Sequence, residues 1–507
     1  MPPISRRQSG LLLAIPALPS RWGVGGMGAE AESFADFLAD CRQRLWQVLP
    51  LTVPDFVHSP YASPSAFAGD PLLIDPAALA EEGLLTRREA APACTSCFSR
   101  IAYDHAAQTK GACLRRAYAA FCSAGGAEQE NFRAFCRRER YWLGDFALFD
   151  ALKAHFGGLP FWQWPDEGAK FHRPAALRRY REQLAEEVGC RFFTQYLFDR
   201  QLSALRERLR ARGIRLIGDM FYVARDSADV WAHPQLFCLR DDRSPRLVAG
   251  VPPDFFSEKG QLWGNPVYDW EKMAEDGYLF WMRRLARCAA MYDITRLDHF
   301  RALDSYYVIR GGAPDAMRGR WRRGPGQTFF DAVRKKLPQL SMIAEDLGSL
   351  TPSVHALRRG AGLPGMRVMQ FAFGEGAGND FLPHNFERNT VAYLGTHDND
   401  TTAGWWRSLD ATARAHAAAY LGIPAGASAQ TAVRRMMAAA SASVADTVIF
   451  TVQDLTGEGS EGRINTPSQI GGCWEYAAPP GFAPKEAADY LRTITKLYGR
   501  TGEEHGE

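Results

Sequence analysis

The sequence predicts an α/β chain folded as a (β/α)8 TIM barrel, with helical insertion subdomains and no C-terminal β domain. Three observations carry this. Strand-length apolar runs alternate with helix-length amphipathic stretches along most of the chain. Three of those runs close on an acid: Ile294-Thr295-Arg296-Leu297-Asp298, Met342-Ile343-Ala344-Glu345 and Val391-Ala392-Tyr393-Leu394, which leads to His397-Asp398. No linker or low-complexity tract divides the 507 residues, 46% of them hydrophobic, so one enlarged barrel spanning 1–507 is the natural reading.

In chain order, Leu11–Ile15 is a buried strand ending at Pro16, and Ala29–Cys41 a helix with Phe34, Phe37 and Leu38 on one face. Arg44–Leu51 is a second strand, followed by a turn-rich loop from Pro54 to Pro71. From about 81 to 201 the periodicity is mostly helical, too much chain for one barrel helix, and reads as an inserted set of helices. Within it, Phe161-Trp162-Gln163-Trp164-Pro165 suits either the insertion's core or a platform for a sugar ring. Arg215–Val223 is the third strand and carries Asp219; the polar, aromatic and Gly/Pro-rich stretch 226–269 reads as a substrate loop. A helix over Met273–Met291 leads to the strand ending at Asp298. Further strands lie near Leu303–Ile309 (a β extension), Met342–Ala344, Met366–Phe373, Val391–Leu394 and Thr447–Val452; without the extension the total is eight. The last helix, Pro484–Tyr498, leaves no room for a separate β domain.

Composition narrows the function classes. Sixty basic and 57 acidic residues give a net charge of +3 with no run of like charge, which speaks against a nucleic-acid or membrane surface. Arg6-Arg7 before Gly10–Ile15 has the outline of an export signal, but Pro16 and Pro19 break its apolar run and a barrel strand fits better. Ten scattered cysteines fit reduced thiols in a cytoplasm. Cys94-Thr95-Ser96-Cys97 is a lone pair without a second half at zinc spacing, so no metal is expected.

In a β/α barrel the strand ends converge on one rim. An acid there caps a helix, pairs with an arginine, or works. Three in consecutive units favour work, and the chemistry that uses several carboxyls at one bond is glycoside cleavage and transfer.

The residues also resemble a known family, the 4-α-glucanotransferases or amylomaltases of glycoside hydrolase family 77. The resemblance runs through Ser9-Gly10, Leu18-Pro19-Ser20, Leu45–Leu51, Ser59-Pro60-Tyr61, Ser65–Gly69, Gln195-Tyr196, Asp226–Trp231, Pro252-Pro253-Asp254, Gly260–Pro266, the three acid-bearing strands and Gly395–Thr401. It implies a barrel with helical insertions and cofactor-free, retaining transfer of α-1,4-glucan segments between malto-oligosaccharides, starch-like chains and glucose.

By motif, Asp298 is then the nucleophile, Glu345 the general acid/base and Asp398 the stabiliser of the transition state. Arg296 is expected against Asp298, favouring its charged form. His397 is expected on sugar hydroxyls, Tyr61, Asp254, Gln261 and Trp263 on the glucan, and Asp219 behind the first rank of residues. A retaining route predicts carboxyls of Asp298 and Glu345 about 5–5.5 Å apart. Asp219–Val223 lacks the family's proline, Gly26 and Asp70 replace its usual Asp and Asn, Val53–His58 replaces a glycine-rich turn and Gly471–Tyr476 a Gly-Asn-Trp-containing motif, while Arg463 and Asn465 are kept. These departures lie in loops that would frame the substrate, which bears on chain-length and acceptor preference. An α-glucan hydrolase on a similar barrel and a non-catalytic glucan-binding relative are the competing readings.

Overall fold

A computed structural model describes residues 7–253, 258–374, 376–467, 469 and 471–502. Its strands are β1 Gln8–Leu12, β2 Leu45–Gln47, β3 Arg215–Met220, β4 Leu247–Val251, β5 Gln261–Pro266, β6 Ile294–Leu297, β7 Ser305–Arg310, β8 Gly319–Arg323, β9 Met342–Ala344, β10 Gly365–Val368, β11 Thr390–Tyr393 and β12 Thr447–Thr451. Eight form one parallel sheet in the order β10-β11-β12-β1-β2-β3-β6-β9, the order of a barrel cut between β9 and β10. That seam is drawn together by Ala344 N–H donating to Pro364 O (2.9 Å) and by Met366 N–H donating to the buried Asp346 carboxylate (2.6 Å). Arg358 Nε lies 3.0 Å from the same carboxylate, a pairing that so dry a charge requires.

All eight strands that the sequence pointed to are present, most of them shorter. The first is Gln8–Leu12 rather than Leu11–Ile15, because Pro16 fixes a 3-10 turn over Ile15–Ala17. The second ends at Gln47, two residues before Leu49 takes a left-handed φ of 62°. The strands are buried on both faces, as their continuous apolar runs require of a parallel sheet.

Two expectations need correction. The helix placed over Met273–Met291 is two helices, Trp270–Glu275 and Leu279–Met291. Gly277 and Tyr278 turn left-handed between them (φ 70° and 59°), and Asp276 accepts from Leu279 N–H (2.9 Å) to start the second. The stretch 226–269 is not simply a loop. It contains a helix, Ala228–Ala232, and strands β4 and β5, which join β7 and β8 in an antiparallel sheet ordered β5-β4-β7-β8. The expected extension is therefore one of four strands.

Between β2 and β3 the inserted chain forms the helices Tyr103–Ser123, Ala127–Arg138, Leu143–His155, Pro174–Gln183 and Ala185–Ala211. Trp142, Phe146, Phe149 and Leu152 are all buried there, and Trp164 packs against Phe149 and Trp231. The aromatic rings of the Phe161–Pro165 cluster thus serve the core, with Trp162 alone of the three half-exposed, beneath the Arg225 guanidinium. Among the described residues the chain after β12 forms no further strand and closes on the helix Lys485–Leu497, and no helix is long and apolar enough to cross a membrane.

Candidate active site

Asp219 on β3 and Arg296 on β6 are register partners on adjacent strands, so both side chains point into the top of the barrel. Arg296 Nη1 donates to Asp219 Oδ2 (2.6 Å) and to Asp298 Oδ1 (3.0 Å). Asp298 lies two residues beyond Arg296 and therefore on the same side, one layer higher at the rim. Its side chain keeps 29% of its surface, against 4% for Arg296 and 1% for Asp219. The cation is buried and the outer carboxylate is open. Burial pushes the Asp219 carboxyl up to about 7, against the pull of Arg296 and of the Tyr61 hydroxyl, which donates to Asp219 Oδ2 at 2.7 Å.

Glu345 follows Ala344, the register partner of Leu297, so the ends of β6 and β9 set Asp298 and Glu345 side by side. His299 takes a left-handed conformation (φ 44°, ψ 52°), and its N–H donates to Glu345 Oε2 at 2.7 Å. Glu345 is half-buried, and the loss of water around its carboxyl dominates its chemistry. Burial, then the neighbouring Asp298 charge, raise its carboxyl to about 8, although Arg296 and the His299 N–H oppose them. An acid that holds its proton at neutral pH beside an open carboxylate is the pairing glycosyl chemistry needs.

Asp398 comes from the opposite side of the rim, after β11. Asn399 Oδ1 accepts from both Thr396 N–H and Thr396 Oγ1 (2.9 Å each), shaping the turn. Asn465 Nδ2 donates to Asp398 Oδ1 (2.6 Å), and Arg463 Nη2 to the Asp398 carbonyl (2.8 Å). The carboxylate is thus aimed while its side chain stays 45% exposed. His397 is buried; its Nε2 lies 3.4 Å from Asp398 Oδ2, and its Nδ1 has no partner among the described residues. Desolvation lowers its pKa, which keeps the ring neutral. Tyr61 joins the two sides, since its ring stacks on His397 (5.2 Å, 9°) while its hydroxyl reaches Asp219.

The loop residues have separate fates. Trp263 on β5 meets the His299 ring edge-on at 4.8 Å, and its Nε1 donates to Gln261 Oε1 (3.0 Å), so both hang over the end of β6. Asp254 falls outside the described residues. The loop with Tyr61 is tied to the insertion by Gln195, which exchanges two hydrogen bonds with the Gly69 backbone (2.8 Å each), and to the helix Ala228–Ala232 by Asp229, which accepts from Ala66 N–H (2.8 Å). A Cβ on Gly69 would strike the Phe198 ring. After Asp219 the short segment is held by Val223 N–H donating to Tyr268 Oη (3.0 Å) and by Arg284 donating to Phe221 O.

Sequence reasoning gave no role to Trp474 or His299. Trp474, left-handed at φ 66°, completes an aromatic cluster with Tyr61 and His397 at 5.7 and 5.8 Å. Among the described residues no group of three or more His, Cys, Asp or Glu side chains is placed to hold a metal ion.

A rim with three carboxyls, one arginine-bound and one proton-holding, suits bond exchange at an acetal carbon. Comparison with known proteins agrees. The family model for 4-alpha-glucanotransferase, glycoside hydrolase 77, matches residues 13–480. A 4-alpha-glucanotransferase of Thermus thermophilus is 43% identical over 501 residues, covering 97% of this chain and 99% of the relative. One from Synechocystis is 41% identical, covering 98% and 99%. The amylomaltase of Streptococcus agalactiae, solved in complex with acarbose, superposes with a TM-score of 0.93 at 36% identity over 98% of this chain and all of that one. The chain belongs to the 4-alpha-glucanotransferases of glycoside hydrolase family 77.

Proposed function

We propose that this 4-alpha-glucanotransferase moves α-1,4-glucan segments by retaining double displacement, from a malto-oligosaccharide or starch-like donor to the 4-hydroxyl of glucose or another glucan. The observation that carries this reading is the Asp298–Arg296 pair beside a carboxyl, Glu345, raised to about 8. Asp298 attacks C1; the C1–O4 bond breaks, and its electron pair leaves on O4 with the proton of Glu345. The acceptor hydroxyl then gives its proton back to Glu345 as its oxygen displaces Asp298 from C1. The two carboxyls return to their starting states. Asp398 holds the flattened sugar, and His397 presents its free Nδ1 to the same region. Asn465→Ala is expected to lower kcat about tenfold with little change in KM, as it unaims Asp398 without touching the donor's outer units. An unchanged kcat in steady-state assays would free Asn465 from that duty. The ten cysteines, all free thiols, support a reducing cytoplasm as the setting.

Water competes with the acceptor in the second step. At about 55 M against millimolar sugar it starts about ten-thousand-fold ahead, so the acceptor's transition state needs an advantage of about 5–6 kcal/mol. Tyr61 and Trp263 are placed to supply part of it through ring contact and exclusion of water. Purified enzyme incubated with maltotriose is expected to yield a ladder of longer oligosaccharides plus glucose. Trp263→Ala is expected to shift products several-fold toward new reducing ends. Mostly new reducing ends from the unaltered enzyme at high acceptor concentration would make it a hydrolase instead.

A further inference from the structure

Parallel strands exchange backbone hydrogen bonds on alternate residues, so each rung of a ladder fixes the next. Between β6 and β9, Thr295 N–H donates to Ser341 O (2.9 Å) and Glu345 N–H to Leu297 O (3.0 Å), with Leu297 opposite Ala344. The next rung in that pattern is His299 N–H to Glu345 O. It is not made. Phe300 N–H takes the Glu345 carbonyl one residue late (3.1 Å), and His299 N–H turns to the Glu345 side chain, 2.7 Å from Oε2. One extra residue on one strand is a β-bulge, a device that re-aims groups beside active sites.

Backbone conformation builds the bulge. His299 sits at φ 44° and ψ 52°, in the left-handed region. Residues with a Cβ avoid that region; asparagine and histidine enter it more readily than most, and β-branched residues hardly at all. The flanks are regular. Asp298 N–H still donates to Met220 O on β3 (3.0 Å), and Phe300 is buried against Phe330. The displaced residue is therefore His299 alone. Its burial pushes the imidazole down to about 4, so the ring is neutral near pH 7 and adds no charge beside Glu345.

The donated N–H distinguishes the two oxygens of Glu345. A neutral carboxyl accepts best through its carbonyl oxygen, so Oε2 accepts and the proton lies on Oε1, to which none of the described residues donates. Oε1 is left to face the departing O4. Once the proton has gone, the same N–H supports the carboxylate. The other groups that bear on this carboxyl are Arg296 and Asp298 from β6, Asp346 after β9 and the buried Tyr222 hydroxyl after β3; none of them donates to it.

We infer that His299 is a positioning residue for the transfer reaction: its left-handed bulge takes a backbone donor out of the sheet and fixes which oxygen of the acid/base Glu345 carries the proton. This rests on the retaining glucanotransferase reading, in which Glu345 has that role.

Full-length enzyme carrying His299→Asn, His299→Ala or His299→Val, assayed on maltotriose from about pH 5 to 10, provides the test. All three lose the ring and its contact with Trp263, so they share whatever change in KM that contact carries. They differ in backbone preference. Asparagine keeps the left-handed turn, so kcat is expected to fall only about two- to threefold, with the basic limb of kcat/KM in place. Valine opposes the turn, and kcat is expected to fall at least about tenfold further. Its basic limb should move up by about one pH unit, because a carboxyl without the N–H donor holds its proton more tightly. Alanine should fall between the two. Equal effects of asparagine and valine, or a loss in valine with the basic limb unmoved, would overturn the inference. If the valine variant does not fold, alanine takes its place, and an alanine profile that coincides with that of asparagine overturns the inference as well. An unaltered enzyme that transfers nothing from maltotriose, or shows no basic limb, would instead bring down the reading of Glu345 on which this rests.

Discussion

Replacing Asp298 by asparagine is expected to lower turnover on maltotriose by about 10⁴-fold or more while leaving the fold and glucan binding nearly intact. The amide matches the carboxylate in shape, and its oxygen still accepts from Arg296 Nη1, which Asp219 holds at 2.6 Å on its other side. What is lost is the ability to form an ester with C1. The substitution also removes the negative charge that helps raise Glu345, so Glu345 should titrate below its value of about 8 in the variant. Retention of more than about a hundredth of the activity would be the loss of a mere positioning group, and Asp298 would not be the nucleophile.

The eight barrel strands were legible because each holds or borders a short apolar run set between helix-length stretches, and the three acids because each closes such a run. Strand β8 was not legible. Gly-Arg-Trp-Arg-Arg has no apolar alternation, and it is held as a strand by pairing along its whole length with β7. Strands β4 and β5 were hidden by Gly250, Gly260 and Gly264, which read as turn formers; Gly250 sits within a strand only because the Gln261 carbonyl needs the space of its missing Cβ. Within the site, the Asp219–Arg296–Asp298 chain follows from register and was within reach of the sequence. The cluster of Tyr61, His397 and Trp474 was not, because it joins three loops far apart in the sequence and leaves no periodic trace. Arg463 and Asn465 could be singled out by resemblance, but their hold on Asp398 is visible only in three dimensions.

Glu345→Gln is expected to separate the two halves of the reaction. On maltotriose the leaving oxygen needs a proton, and turnover should fall by about 10³-fold or more. An α-glycosyl fluoride needs none, so its first step should proceed and a glycosyl-enzyme should accumulate, visible by intact mass, because no base remains to deprotonate the acceptor. The wild-type enzyme should lose activity on maltotriose as pH rises through about 8, where Glu345 gives up its proton. Stability has the matching sign. A carboxyl raised from 4.5 to about 8 keeps its proton in the folded state over that window, so folding is favoured at the acid end and weakened as pH climbs through about 8. Glutamine abolishes that cost, so the melting temperature of the variant should gain on the wild type between pH 5 and pH 8. Equal losses on both donors with no adduct, and parallel melting curves across that window, would take the acid/base role away from Glu345.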